Sequence, residues 1–201
     1  MKILDIETVP LPHIMETWYP EWAQKKFPEM ATEEIERQAG LYPEFGMICA
    51  IGISEPSGVP TSTTASTLKE EKEALVDLSQ ILGETEALVG HNLKGFDLPF
   101  LAKRYLYHDL PVPKTLRVAG KKPWELVHID TMELMKFGGG MSMSLLSACF
   151  LLGLGDPKQS IQGSDVYSLF KQNKIDQIAK YVESDVKFTD LLFRELRKHA
   201  L

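Results

Sequence analysis

The segment Ile3-Leu4-Asp5-Ile6-Glu7-Thr8 constrains the chain most, because it sets two carboxylates into an apolar run that reads as a β-strand. Residues 2–6 place Ile3, Leu4 and Ile6 around Asp5, the pattern of a short strand in the interior of a sheet. Residues two apart on a strand leave the same face, so the Asp5 and Glu7 side chains start roughly 6–7 Å apart and can reach one hard cation. A central strand makes unpaired carboxylates costly. Buried paired acids therefore call for a metal. A D-x-E triplet alone is weak, since about one arises by chance in a chain of this length. The order and setting of the other motifs must carry the weight.

Further along, residues 47–53 form a fully apolar second strand, and the β-branched residues 61–67 form a third, antiparallel to it across the turn Glu55-Pro56-Ser57-Gly58. Residues 68–82 carry apolar side chains at helical spacing and stop at Gly83. A short strand at 87–89, a helix at 98–107 and a strand at 126–130 come next, and then only helices, at 144–152, 165–171 and 175–198. This order predicts an α/β fold with a mixed sheet flanked by helices. The chain of 201 residues, 44% apolar and 25% charged, suits one globular domain over 1–201. With no long apolar run and a carboxylate by residue 5, a soluble, cytoplasmic protein is expected. Cys49 and Cys149 lie in apolar runs and are expected to be buried, reduced thiols.

A net charge of −6 argues against a dedicated duplex-DNA binder that depends on many phosphate contacts. The charge is uneven. Residues 94–122 hold seven cationic side chains against two acids, a balance of +5 that leaves −11 for the rest. This stretch is either a basic flank that attracts a polyanion or a solvated helix face and loop. Residues 9–46 form an insertion where a hairpin of a few residues would suffice. It carries Trp18, Tyr19, Trp22, Phe27, Tyr42 and Phe45. These aromatics either stack on bases of a single strand beside the acids or form a satellite core that holds two short helices on the sheet.

Tyr181 and Asp185 are four apart in the last helix and share a face, at the edge of the apolar stripe Ile178, Val182, Val186 and Phe193. Asp97 follows the strand at 87–89 and the segment Gly90-His91-Asn92, near a helix start. It can cap that helix, or bring a third acid to the strand ends where ligand sites of α/β sheets gather.

Taken together, Asp5-Ile6-Glu7-Thr8, then Asn92 with Phe96-Asp97, then Tyr181 with Asp185 resemble the three exonuclease motifs of the DEDD superfamily in its tyrosine branch. The match is closest to the proofreading 3'-5' exonuclease domain of family B DNA polymerases and stand-alone proteins similar to it. The run from Lys158 to Val166 is also similar. The resemblance implies a ribonuclease H-like fold and two divalent metals, Mg2+ or, as a substitute, Mn2+. By it, Asp5 would bridge both metals, Glu7 and Asp185 would complete the first site, and Asp97 would hold the second, largely through water. Tyr181 would orient the attacking water, and Thr8, Asn92, Lys94 and Phe96 would touch substrate. For Phe96 an ordinary place in the core is the competing reading.

The expected activity is metal-dependent 3'-5' exonucleolytic hydrolysis of single-stranded nucleic acid, DNA before RNA, with any polymerase a separate partner. An exoribonuclease is the alternative within the same chemistry. A non-catalytic nucleic-acid-binding module is the alternative outside it. The full acidic set speaks against that module, which has no need of crowded like charges. Asp130 and Glu133 fall outside the motifs and read as a helix cap and a surface acid. The run Gly138-Gly139-Gly140 lacks the Lys-Ser/Thr of a phosphate loop and reads as a turn before a helix capped by Ser142 or Ser144.

Overall fold

Strand β1 (Lys2–Pro10) occupies the middle of a five-stranded mixed sheet of order β3-β2-β1-β4-β5, as its apolar run requires. The computed structural model describes residues 1–157 and 161–199, so Lys158 lies outside the described residues. β2 (Gly46–Ser54) runs antiparallel to β1, and the edge strand β3 (Thr61–Thr64) antiparallel to β2. β4 (Leu88–Gly90) and β5 (Ile129–Asp130) extend the other side in parallel. The helices are α1 (Tyr19–Lys26), α2 (Thr32–Ala39), α3 (Leu68–Gly83), α4 (Asp97–Tyr107), α5 (Thr131–Met135), α6 (Leu145–Leu151), α7 (Val166–Lys171) and α8 (Ile175–His199). Among the described residues no helix is long and apolar enough to cross a membrane.

Alternation along β1 sorts its side chains between two cores. Leu4 and Ile6 join Leu75, Leu78, Leu98 and Leu101 of α3 and α4 on one face of the sheet. Ile3 and Val9 face the other way, against Val186, Phe193 and Val182 of α8. Asp5 and Glu7 share that second face by the period of two, and so they look toward α8. β1 runs farther than the expected 2–6 because β2 pairs with it as far as Pro10.

Between Glu7 and Thr8 the register slips. Glu7 lies opposite Ala50 and Thr8 opposite Ile48, which leaves Cys49 as the extra residue of a bulge on β2. Cys49 and Ala50 consequently both pack on the α8 side, while Ile48 and Ile51 fill the α3 side. Both thiols are free and buried as expected, and burial pushes each well into the protonated range, that of Cys149 to about 11.

Opposite Asp5 on β2 stands Gly52. A Cβ there would lie 2.8 Å from Val186 Cγ2, 2.9 Å from Val182 Cγ2 and 3.0 Å from the Val182 carbonyl oxygen. The bare backbone lets α8 settle onto the sheet at the level of Asp5. Gly52→Val is expected to lift α8 and to cost about 1–3 kcal/mol in chemical denaturation as overpacking does. Unchanged stability would contradict this role.

Several expected boundaries move for local reasons. The third strand stops at Thr64 because Thr67 is the N-cap of α3, in a reciprocal capping box with Glu70. The strand expected at 126–130 shrinks to Ile129–Asp130: Leu126 is only half-buried and Val127 is solvent-exposed. The His128 ring nearby is buried, with Nδ1 accepting from the Leu88 amide and Nε2 against the Thr115 carbonyl. α5 starts directly after Asp130, the residue expected to cap a helix, although no range was expected for that helix. Ser144, rather than Ser142, caps α6 by accepting from the Ser147 amide.

The segment between β1 and β2 is shorter than residues 9–46, since both strands reach into it, and it carries α1 and α2. Its aromatics form a satellite core. Tyr19 is fully buried and donates its hydroxyl to the Ile35 carbonyl, and Trp22, Tyr42 and Phe45 pack around it. Trp18 keeps 64% of its surface exposed with one ring against Phe45. Three of the seven cations in the basic stretch are paired within the protein. Lys94 pairs with Glu133, Lys103 with Glu44 and the buried Arg104 with Glu71.

Candidate metal and nucleic-acid site

Three of the four expected carboxylates converge. Ligand oxygens of Asp5, Glu7 and Asp185 all lie within 4.8 Å of one another, with Asp5 and Glu7 half-buried and Asp185 buried. β1 delivers the first two and the middle of α8 the third. Tyr181, one turn before Asp185, is buried beside them. Its hydroxyl is held far above the ordinary phenol range, first by burial, then by the negative field of Glu7, Asp185 and Asp5 and by a hydrogen bond with Asp185. Such a hydroxyl stays protonated at any physiological pH and acts as a donor rather than a base.

Asp97 stands outside this group. It is the first residue of α4 rather than its cap, and it is almost wholly buried. β4 ends at Gly90 while β1 continues, so the Ile6 amide has no strand to bond. Asp97 Oδ1 accepts that N–H at 3.0 Å, one residue from both Asp5 and Glu7. Burial raises the Asp97 carboxyl well above its usual range, opposed by its own amide and that of Ile6 and aided by Asp130.

The loop from β4 to α4 is fixed from a strand away. Asp130 Oδ1 accepts the amides of Asn92 and Met132, and Oδ2 accepts that of Lys94. Asp130 thus caps α5 as expected and also clamps the turn that carries Asn92, a role the sequence reading missed because it joins residues 36 and 38 positions apart. Asn92 adopts a left-handed backbone, φ 64°, and its amide side chain lies over Gly95, where a Cβ would come within 2.5 Å of Oδ1. Gly95 therefore leaves room for the Asn92 carboxamide.

Asn92, Asp5 and Asp185 line one cavity of about 310 Å³, together with His91, Met132, Ser142, Met143, Ser144 and Leu145. Of the other expected substrate contacts, Thr8 is half-buried just past the register slip. Phe96 packs against Phe100 with ring centroids 5.4 Å apart and leans on the α3–α4 core. The Lys94 ammonium bonds Glu133 at 2.8 Å and does not line this cavity.

The donor set fits a hard divalent cation: three carboxylates and no soft ligand, which is the chemistry of Mg2+ or Mn2+ sites. A mixed sheet with helices on both faces and an acidic cluster between its central strand and its last helix defines a protein of the polymerase-exonuclease type of fold. In keeping with this, the chain superposes on the family B DNA polymerase of the hyperthermophilic archaeon Pyrobaculum calidifontis with a TM-score of 0.67 at 18% identity. The match covers 98% of this chain and 24% of that one. The chain thus spans about a quarter of that polymerase, and the likeness at this identity is one of fold, ribonuclease H-like as expected. Residues 44–200 match the family described as predicted 3'-5' exonucleases related to the exonuclease domain of PolB, and the chain belongs to that family. No curated protein matches the sequence.

Proposed function

We propose that this protein is a metal-dependent 3'-5' exonuclease of the tyrosine branch of the DEDD superfamily, acting on single-stranded nucleic acid and on DNA before RNA. The observation that carries this reading is the convergence of Asp5, Glu7 and Asp185 within 4.8 Å beside the buried Tyr181, in a chain of the PolB-related exonuclease family. The preference for DNA draws on the polymerase to which the fold is similar.

Asp5, Glu7 and Asp185 would hold Mg2+ or Mn2+, with Asp97 beside them on the Ile6 amide. When bound, such a metal pair lowers the pKa of the attacking water and stabilises the attacking and leaving oxygens of an in-line displacement. Tyr181 orients the attacking water through a hydrogen bond at its hydroxyl oxygen. The cavity beside Asp5, Asp185 and Asn92 is of a size to take one terminal nucleoside, with Met132, Met143 and Leu145 against its apolar faces. Tyr181→Phe is expected to keep metal affinity while lowering turnover by roughly 10²-fold, the scale of a positioned proton-transfer or orienting group. The wild-type pH–rate profile should show no tyrosine ionisation up to about pH 10, the ordinary phenol value. An inflection near pH 9–10 that Tyr181→Phe removes would contradict a raised Tyr181.

The test incubates a 5'-labelled single-stranded DNA and the RNA of the same sequence with the protein in Mg2+ or Mn2+, beside Asp5→Ala. The expected result is a ladder shortening from the 3' end that chelator and the variant both abolish, faster on DNA. Faster loss of RNA would make the protein an exoribonuclease. Tight binding with no cleavage in any metal would make it a binding module.

A further inference from the structure

A second cavity, about 720 Å³, is walled by Tyr181 but by none of the three clustered carboxylates. Its floor is one stripe of α8, Gln177, Lys180, Tyr181, Ser184 and Lys187, spaced as one face of a helix. Ile161 and the Val59-Pro60 turn add apolar wall. The stripe is fixed in place: the Ser184 hydroxyl donates to the Pro157 carbonyl at 2.7 Å. The carboxylate that lines this cavity, Glu183, accepts the Ser62 hydroxyl of β3 at 2.7 Å.

Both lysines are solvent-exposed, and among the described residues neither forms an ion pair. The Lys187 ammonium lies 5.7 Å from the Phe188 ring centroid. They differ in this from Lys94, Lys103 and Arg104, whose charges are met by Glu133, Glu44 and Glu71. Lys180 and Lys187 are seven residues apart, roughly 10 Å along the helix axis, a span that reaches more than one backbone phosphate. In a chain of net charge −6, two uncommitted cations along a cavity that ends at the catalytic tyrosine select for a polyanion entering there.

We propose that this stripe of α8 is the track for the phosphates of the strand on the 5' side of the bond being cut. The inference rests on the exonuclease reading above and adds to it where the undigested strand lies. The apolar wall at Val59, Pro60 and Ile161 takes the sugars or bases that the phosphates carry past it.

The test measures binding of fluorescein-labelled decathymidylate by anisotropy, in chelator so that nothing is cut, over a series of salt concentrations. Three proteins are compared: the wild type, Lys180→Gln/Lys187→Gln, and Lys69→Gln/Lys72→Gln. The last makes the same charge change on α3, across the sheet. Each lysine–phosphate contact with a single strand contributes about 0.7 to the slope of log affinity against log salt. The groove variant is expected to flatten that slope by about 1.4 and the α3 variant to keep the wild-type slope. A groove variant with the wild-type slope, or an α3 variant flattened as much, overturns the track. If the wild type also digests the strand once Mg2+ is added, the exonuclease reading survives that failure. A wild type that neither binds nor cuts overturns both.

Discussion

Asp5→Asn is expected to reduce turnover by roughly 10³-fold or more, the scale on which removal of transition-state charge stabilisation acts, while making the metal-free protein more stable. Ligand oxygens of Asp5 share a 4.8 Å neighbourhood with those of Glu7 and Asp185. Without a cation these like charges repel, and α8 is held against β1 in spite of them. Neutralising one relieves the repulsion and also removes a ligand. Added Mg2+ at about 100 times its dissociation constant should stabilise the wild type by about 2.7 kcal/mol, or about 5–10 °C for a chain of this size. Melting curves with and without Mg2+ should lose most of that rise in Asp5→Asn, and its metal-free melting point should exceed that of the wild type. An equal metal-dependent rise in both proteins would mean that cations bind elsewhere.

Glu71→Ala should have the largest effect on folding, although Glu71 lies outside every motif. It is almost fully buried on α3 and meets four donors. Oε1 accepts the Ile48 amide and Arg104 Nε, each at 2.8 Å; Oε2 accepts an Arg104 terminal nitrogen at 2.6 Å and faces His108 Nε2 at 2.8 Å. Arg104 is itself wholly buried and also donates to the Pro43 carbonyl. Alanine at 71 would leave a guanidinium without its counter-charge, which costs about 3–5 kcal/mol. It would also release Ile48, the residue that faces Thr8 across the slip in the β1–β2 register. A second variant, Glu71→Gln, keeps the acceptor oxygen for Ile48 but lacks the charge. Denaturant unfolding should place it between the wild type and alanine. If alanine costs less than about 1 kcal/mol, far below the buried-pair range, the network is not what holds this corner together.

The parts of the fold that could be read from the sequence were those whose cause is local. The Asp5/Glu7 spacing set both side chains on one face, and the 181/185 spacing did the same on α8, so their meeting needed only that α8 cover that face. Thr67 and Glu70 form a capping box that moved the end of β3 to Thr64, a signal present in the letters Thr67-Leu68-Lys69-Glu70 but outweighed by β-branched residues. What was illegible depends on distant partners. Residues 94–122 read by charge count as either a basic flank or a solvated face, yet Glu44, Glu71 and Glu133, remote in sequence, neutralise three of those cations. Asp130 clamps the Asn92 turn through two amides of another loop. Gly52 gave a usable hint, a glycine in the middle of an otherwise apolar strand, which marks a close approach of another element. The insertion aromatics satisfied one another instead of facing the acids, because Tyr19 and Phe45 have the α1–α2 helices to cover them.

The most direct test of the acidic cluster is the anomalous difference map of wild-type crystals soaked in Mn2+. The account predicts a peak bounded by carboxylate oxygens of Asp5, Glu7 and Asp185, at metal–oxygen distances of about 2.0–2.3 Å. It would be contradicted by saturating Mn2+ that leaves this cluster without a peak, or by a peak held by other side chains alone.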